Sequence, residues 1–239
     1  AATGNFIFRP GPLFADIVLA DEINRAPAKT QAALLEAMQE YQVSIDGETR
    51  PLPPGFTVVA TQNPIEFEGT YPLPEAQLDR FLLRLRLGYP SLANEIRILD
   101  DQQIQHPLDT LKSVVKEREI LQAIAAVRRI YISPAVKRYI VDLTTFTRKS
   151  ADVYLGASPR GSLALARAGQ ARAALLGADH VLPDDIKALA VSVLAHRIIV
   201  SPAARLRDLS SDLIIQEIVH STPVPGGDFA PQPEQKKIK

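Results

Sequence analysis

Two acidic residues close a short apolar run, Ile17-Val18-Leu19-Ala20-Asp21-Glu22. A strand that ends in Asp-Glu sets two carboxylates at the carboxyl edge of a sheet, where open α/β folds bind their ligands. In nucleotide hydrolases an Asp so placed helps hold Mg²⁺, and a neighbouring Glu orients and deprotonates the attacking water. A strand end turning into solvent has the same composition, so the pair alone does not choose between the two. A second run, Val58-Val59-Ala60-Thr61-Gln62-Asn63-Pro64, ends in polar residues at what should be the same edge. There Asn63 could hydrogen-bond a γ-phosphate or its water, and Asn-Pro is equally an ordinary turn starter.

Two arginines join this set. Arg80, in Glu75-Ala76-Gln77-Leu78-Asp79-Arg80-Phe81, closes a short helix just before another apolar run. Projected toward a neighbour's phosphate, its guanidinium would stabilise transferring phosphoryl charge. The plainer alternative is a salt bridge to Asp79 or Glu75. Arg160, in Ser158-Pro159-Arg160-Gly161, opens a long Ala/Leu-rich helix. A cation gains nothing from a positive helix terminus. Either an anion gathers there, or the charge is solvated or touches the sheet half. The run Gly156 to Gly161 misses the G-x-S-x-G nucleophile elbow by one residue, and no strand is expected before it. Asp100-Asp101 and Asp184-Asp185 read as solvated charge on helix surfaces or starts.

The elements that must position these residues fall into two halves. Ile17–Ala20, Phe56–Ala60 and Phe81–Leu83 are short apolar runs that read as strands buried on both faces, as in a parallel sheet. Between the first two, a helix starts near Pro27 with an apolar face of Leu34, Met38 and Tyr41. Asp46-Gly47, between Gln42–Ile45 and Glu48–Arg50, is a hairpin signal. After Gly88-Tyr89-Pro90 the pattern is helical throughout. Its stripes are Ile120, Ile124, Val127; then Val136, Ile140, Leu143; then Ile186, Leu189, Ala190, Val193. Ser133-Pro134 and Pro183-Asp184-Asp185 read as helix starts. The fold class expected is therefore α/β plus all-α: an α/β domain at 1–90 and a helical domain at 91–221. A loose tail is expected at 222–239, which holds four Pro, two Gly and three Lys.

Composition narrows the function. The chain has 239 residues, 46% of them apolar and 23% charged, and its 27 basic and 27 acidic side chains cancel. Zero net charge argues against nucleic acid as partner. The chain has no Cys, which excludes thiol catalysis and thiolate metal sites, and its four His show no metal-ligand spacing. No apolar stretch approaches the roughly 20 residues of a membrane span. A cytoplasmic protein is the expectation.

In this order, the motifs resemble those of MoxR-type AAA+ ATPases. The likeness is carried by Phe8-Arg9-Pro10-Gly11-Pro12, Leu19 through Ala26, Gln31 to Glu40, Ala60 through Pro64 and Gly69 through Phe81. It is dense over 6–90 and looser to about Pro225, with Ser158-Pro159-Arg160 as its landmark. The resemblance implies a partial AAA+ parallel-sheet core followed by a helical lid. It also implies roles: Asp21 and Glu22 as Walker B, with Asp21 toward Mg²⁺ through water and Glu22 toward the hydrolytic water. Asn63 then corresponds to sensor 1, Arg80 to the arginine finger acting on the adjacent subunit's ATP, and Arg160 to sensor 2. The cofactors implied are ATP and Mg²⁺. The partners implied are further copies in a ring, usually a hexamer, and client proteins, often with von Willebrand A-type domains, that the machine remodels or activates.

One departure stands out. No G-x-x-x-x-G-K-S/T occurs in the chain, so the loop whose backbone amides and Lys cradle the phosphates is not within it. The chain opens Ala1-Ala2-Thr3, its one Met is Met38, and Phe6-Ile7-Phe8 already reads as a strand. The expectation is a chain that begins inside a domain, weak or inactive alone, from an ATP-hydrolysing parent. A magnesium-chelatase-type motor subunit and a non-hydrolysing AAA+ scaffold are the alternatives.

Overall fold

The computed structural model describes residues 8–45, 47–63, 71, 73–103, 106–226 and 229. In the first half, β1 (Ile17–Ala20) leads to α1 (Ala28–Glu40), the strands β2 (Gln42–Ile45) and β3 (Glu48–Pro51), β4 (Thr57–Ala60) and the single turn α2 (Glu75–Leu78). β1 and β4 pair in parallel, Ile17 opposite Thr57 through Ala20 opposite Ala60. β2 and β3 pair antiparallel, closing at Ile45 opposite Glu48. Gly47 sits at φ 80° in that turn, a conformation open to a residue without Cβ. Its neighbour Asp46, like Phe6, Ile7 and Pro64, lies outside the described residues.

Val18, Ala20, Val58 and Ala60 face inward, packing near Ile23, Leu34, Leu35 and Leu73 or Ala37, Leu52 and Phe56. On the other face Ile17, Leu19 and Val59 are exposed, Ile17 by 72%. The two-sided burial expected of these strands is therefore met on one side only among the described residues. Of the α1 stripe, Leu34 is buried, while Tyr41 is exposed and caps the helix at φ 53°.

The run Phe81–Leu83 is not a strand. A strand needs its carbonyls for a ladder, and here they are taken by side chains from the helical half. Phe81 O accepts from Arg197 Nη2 at 2.5 Å and lies 3.0 Å from His196 Nε2, and Leu82 O accepts from Arg197 Nη1 at 3.2 Å.

The second half holds α3 (Leu92–Gln102), α4 (Glu117–Val127), α5 (Pro134–Lys149), β5 (Val153–Leu155), α6 (Pro159–Leu175), α7 (Pro183–Leu194), β6 (Ile199–Val200), α8 (Pro202–Arg205) and α9 (Ser211–Ser221). Its core joins Val136, Ile140, Leu143, Leu165, Ile186, Ala190, Val193 and Ile215, none more than 3% exposed. Two of the three stripes read from the sequence supply this core. The third does not: α3 and α4 contain no buried residue, and Ile120 and Ile124 stay exposed. Beyond α9, Thr222 is buried and Phe229 packs against the helical core. Among the described residues no helix is long and apolar enough to cross a membrane.

Local chemistry sets the helix starts. Ser133 Oγ accepts from Val136 N at 3.2 Å, and Pro134 fills the first turn of α5, where a missing N–H costs nothing. Asp185, in the first turn of α7, accepts from Leu182 N at 2.9 Å and pairs with Arg172 at 3.3 Å, so it is a buried cap rather than solvated charge. Asp101 pairs with Arg97 on the surface of α3, as expected. Gly156 lies where a Cβ would come 2.6 Å from Arg148 Cα, which lets the chain pass tightly over α5 into α6.

Candidate functional site

The parallel register of β1 and β4 places Asp21 and Thr61 directly beyond paired residues, at one sheet edge. Thr61 is the pin. Its N–H donates to Ala20 O at 3.1 Å and its carbonyl accepts from Ile23 N at 3.0 Å. Its hydroxyl donates to Asp21 Oδ1 at 2.5 Å and accepts from Glu22 N at 2.9 Å. One side chain thus fixes both acidic residues. Nothing in a lone Thr after a strand announces this.

Glu22 is held at φ 47°, ψ 50°, in the left-handed region that a residue with Cβ rarely adopts. That turn stops the strand and opens a short 3₁₀ turn, Ile23–Arg25, while the Glu22 carboxylate pairs with Arg25 at 3.2 Å. Asn24 then donates from Nδ2 to Asn63 O at 3.3 Å, joining the two strand ends a second time. Beneath them, buried Gln31 of α1 donates through Nε2 to the carbonyls of Ile23, Ala26 and Tyr71, at 3.1, 3.1 and 2.8 Å. The structure therefore brings Asp21, Glu22 and Asn63 together at one edge.

Asp21 offers hard oxygen chemistry suited to Mg²⁺, with a hydroxyl already in contact. Among the described residues no group of three or more His, Asp or Glu could cage a metal. That sparse donor set fits a cation that keeps several waters and completes its shell with phosphate oxygens.

The two arginines are placed elsewhere, along α1. Arg80 Nη1 donates to Leu35 O at 2.9 Å, and Arg160 Nη2 donates to Gln39 Oε1 at 3.3 Å. Leu35 and Gln39 are one turn apart, so Arg80 and Arg160 share a stretch of α1 toward its C-terminal end. No hydrogen bond described joins either to Asp21 or Glu22. The alternative salt bridge from Arg80 to Asp79 is not formed, because Asp79 pairs with Arg197 at 3.0 Å, 118 residues away. At the start of α6, Ser158 caps the helix by accepting from Arg160 N at 3.1 Å and donates its own hydroxyl to Asp79 Oδ2 at 2.9 Å, while the Arg160 side chain touches the sheet half at Gln39. A short strand, β5, does precede this segment, contrary to expectation, and Ser158 serves it as a helix cap.

Arg197 is buried, and its side chain is 2% exposed. Burial lowers its pKa, against the Asp79 carboxylate that raises it. Beside it His196 is held to about 4, first by burial and then by the Arg197 cation, so it is neutral near pH 7. Arg84 and Arg86 pair with Asp212 at 2.6 and 3.2 Å, and Arg84 N donates to Ser192 O at 2.9 Å. Residues 79–86 are thereby clamped to the helical half.

This geometry belongs to a known class. Residues 1–83 match the model of the ATPase family associated with various cellular activities (AAA), and residues 145–218 match the AAA lid domain. A parallel-sheet layer with a carboxylate edge, followed by a helical lid, is the AAA+ arrangement.

The relatives narrow it. The uncharacterized protein YeaC of Bacillus subtilis is 48% identical over 225 residues, covering 94% of this chain and 70% of its own. The chaperone MoxR1 of Mycobacterium tuberculosis is 39% identical over 231 residues, 93% of this chain and 61% of its own. Protein MoxR of Paracoccus denitrificans is 31% identical over 250 residues, 94% of this chain and 74% of its own. A crystal structure of a candidate ATPase from Cytophaga hutchinsonii superposes with a TM-score of 0.87 at 38% identity, covering 93% of this chain and 70% of that one. The chain belongs to the MoxR-type AAA+ ATPases.

Proposed function

We propose that the chain carries the water-activating and lid portions of an ATP-hydrolysing machine that remodels or activates client proteins. Residues 1–90 form its α/β core, 91–221 its lid and 222–239 a tail. Asp21 would hold Mg²⁺ through water, and the ion would supply neutralisation of charge developing on the phosphates. Glu22 orients the attacking water and takes its proton, Asn63 positions that water, Arg80 serves the ATP of an adjacent subunit and Arg160 couples the lid to nucleotide. Its partners are further copies in a ring, usually a hexamer, and client proteins, those with von Willebrand A-type domains being one class; membership of the AAA family supports this reading.

The observation that carries this function is the pinning of Asp21 and Glu22 by one Thr61 hydroxyl at the end of two parallel strands. A mere strand end has no need for a left-handed Glu or for a hydroxyl shared between two acidic residues. The chaperone name of the mycobacterial relative supports client remodelling. No phosphate-cradling G-x-x-x-x-G-K-S/T stands within the 239 residues, so turnover by this chain alone is expected to be weak.

The test is MgATP hydrolysis by the natural polypeptide carrying this sequence, compared with its Glu22→Gln variant. A general base contributes about 10²–10⁴-fold, so kcat should fall at least about 100-fold while nucleotide still binds. A Glu22→Gln variant that turns over ATP at the normal rate would sink the assignment.

A further inference from the structure

Asp79 stands between the two arginines of the candidate site, one residue before Arg80 and against the cap of the helix that bears Arg160. Its two carboxylate oxygens are divided. Oδ2 accepts from Ser158 Oγ at 2.9 Å, and Oδ1 accepts from Arg197 Nε at 3.0 Å. Ser158 is in turn fixed by the Arg160 amide that it caps. Arg197 grips the same segment further on, through Phe81 O, Leu82 O and the Asp79 carbonyl, while its Nη1 also meets Val193 O on α7.

We infer that Asp79 is a positioning residue that links Arg80 to Arg160, so that the placement of one arginine depends on the other through the Asp79–Ser158 hydrogen bond and the Asp79–Arg197 ion pair. The mechanics follow from the contacts. A rotation of α6 that carries Arg160 away from Gln39 also pulls the Ser158 hydroxyl from Asp79. The carbonyls of Asp79, Phe81 and Leu82 are held by Arg197, so this segment cannot stay behind without leaving a buried guanidinium unpaired, which is costly. Arg80, bonded to Leu35 O, is displaced along with it. An exposed ion pair could break and re-form at little cost; this one is shielded, which makes the linkage stiff. The consequence for turnover rests on the ATPase function proposed above, whereas the linkage itself does not.

Ser158 allows the link to be cut while the helix cap is kept. Asp, Asn and Ser cap helices about equally well. Ser158→Asp retains the cap and sets a second carboxylate against Asp79, and Ser158→Asn retains the cap and offers an amide N–H in place of the hydroxyl. Hydrogen exchange on the 239-residue chain reads the result at the amides of Arg80, Phe81 and Arg84, which bond to Gln77 O, Leu78 O and Ser192 O.

Exchange at these three amides should quicken about tenfold or more in Ser158→Asp through local opening, and stay within about twofold of the parent in Ser158→Asn. Should Ser158→Asp fail to fold, Ser158→Gly removes the link with little loss of capping, and the same three amides should quicken. Unchanged exchange at Arg80, Phe81 and Arg84 in the Asp or Gly variant, with effects confined to α6, overturns the linkage. In the natural polypeptide, Ser158→Asp should lower kcat about tenfold with KM for ATP nearly unchanged. A parent without any ATP turnover would count against the ATPase function and leave the exchange comparison decisive.

Discussion

Asp21, Glu22 and Thr61 take their positions from strands that pair within one layer, whereas Arg80 and Arg160 take theirs from contacts that cross between the α/β half and the helical half. The carboxylate edge is local. Residues on β1 and β4 lie 40 apart in sequence but adjacent in register, and a few main-chain bonds complete the assembly. The arginine side is assembled at long range, through pairs such as Asp79 with Arg197 and Arg84 with Asp212, 118 and 128 residues apart. Under the function proposed above, the difference would separate two tasks: an edge that stays fixed to hold a water, and a pair of cations whose placement follows the lid.

Breaking the long-range side should cost the most stability. Arg197→Leu removes the cation opposite Asp79 and frees the carbonyls of 81 and 82, and the loss should be about 4 kcal/mol, within the range for breaking a buried pair. Denaturant unfolding measures it, and a loss below about 1 kcal/mol would mean that the pair does not hold the halves together.

Acid acts on the same junction. His196 is neutral in the fold, with its pKa at about 4 against 6.5 for an unperturbed imidazole. The unfolded chain therefore binds more protons between those values. Stability from neutral His196 is present above about pH 6.5 and declines as pH falls toward 4, by up to about 3 kcal/mol. His196→Gln should flatten that part of the stability-versus-pH curve, and an unaltered slope would show that acid strikes elsewhere.

The local side should yield least. Thr61→Val keeps the shape and deletes one hydroxyl, so unfolding should be easier by only about 1 kcal/mol. A loss near that of Arg197→Leu would erase the distinction between the two regions.

The sequence discloses these regions unequally, for physical reasons. An apolar run that stops at Asp-Glu reports a strand and its edge together, because burial and charge change at one peptide. The stripe Val136, Ile140, Leu143 reports a buried face by its spacing, and these residues are indeed core. The stripe Ile120, Ile124, Val127 has the same spacing yet Ile120 and Ile124 remain exposed, since periodicity describes a helix and says nothing of what packs on it. Phe81–Leu83 has strand composition, but its carbonyls went to Arg197 and His196, side chains that no local window contains. Asp79 offered Arg80 as a neighbouring partner and took a buried cation 118 residues away instead. Thr61 and Gln31 were illegible because a hydroxyl or an amide acquires a role only from the carbonyls and carboxylates that the fold sets around it.

Glu22 carries a last consequence. Its left-handed backbone would suit Gly or Asn, and a Gly there would relieve strain of about 1 kcal/mol. Selection for a robust fold alone would drift toward Gly at this position, trading the carboxylate for an easier turn. A glutamate placed against its own backbone preference makes position 22 a gauge of demand: related chains that need the carboxylate should bear the strain, and those released from it should relax.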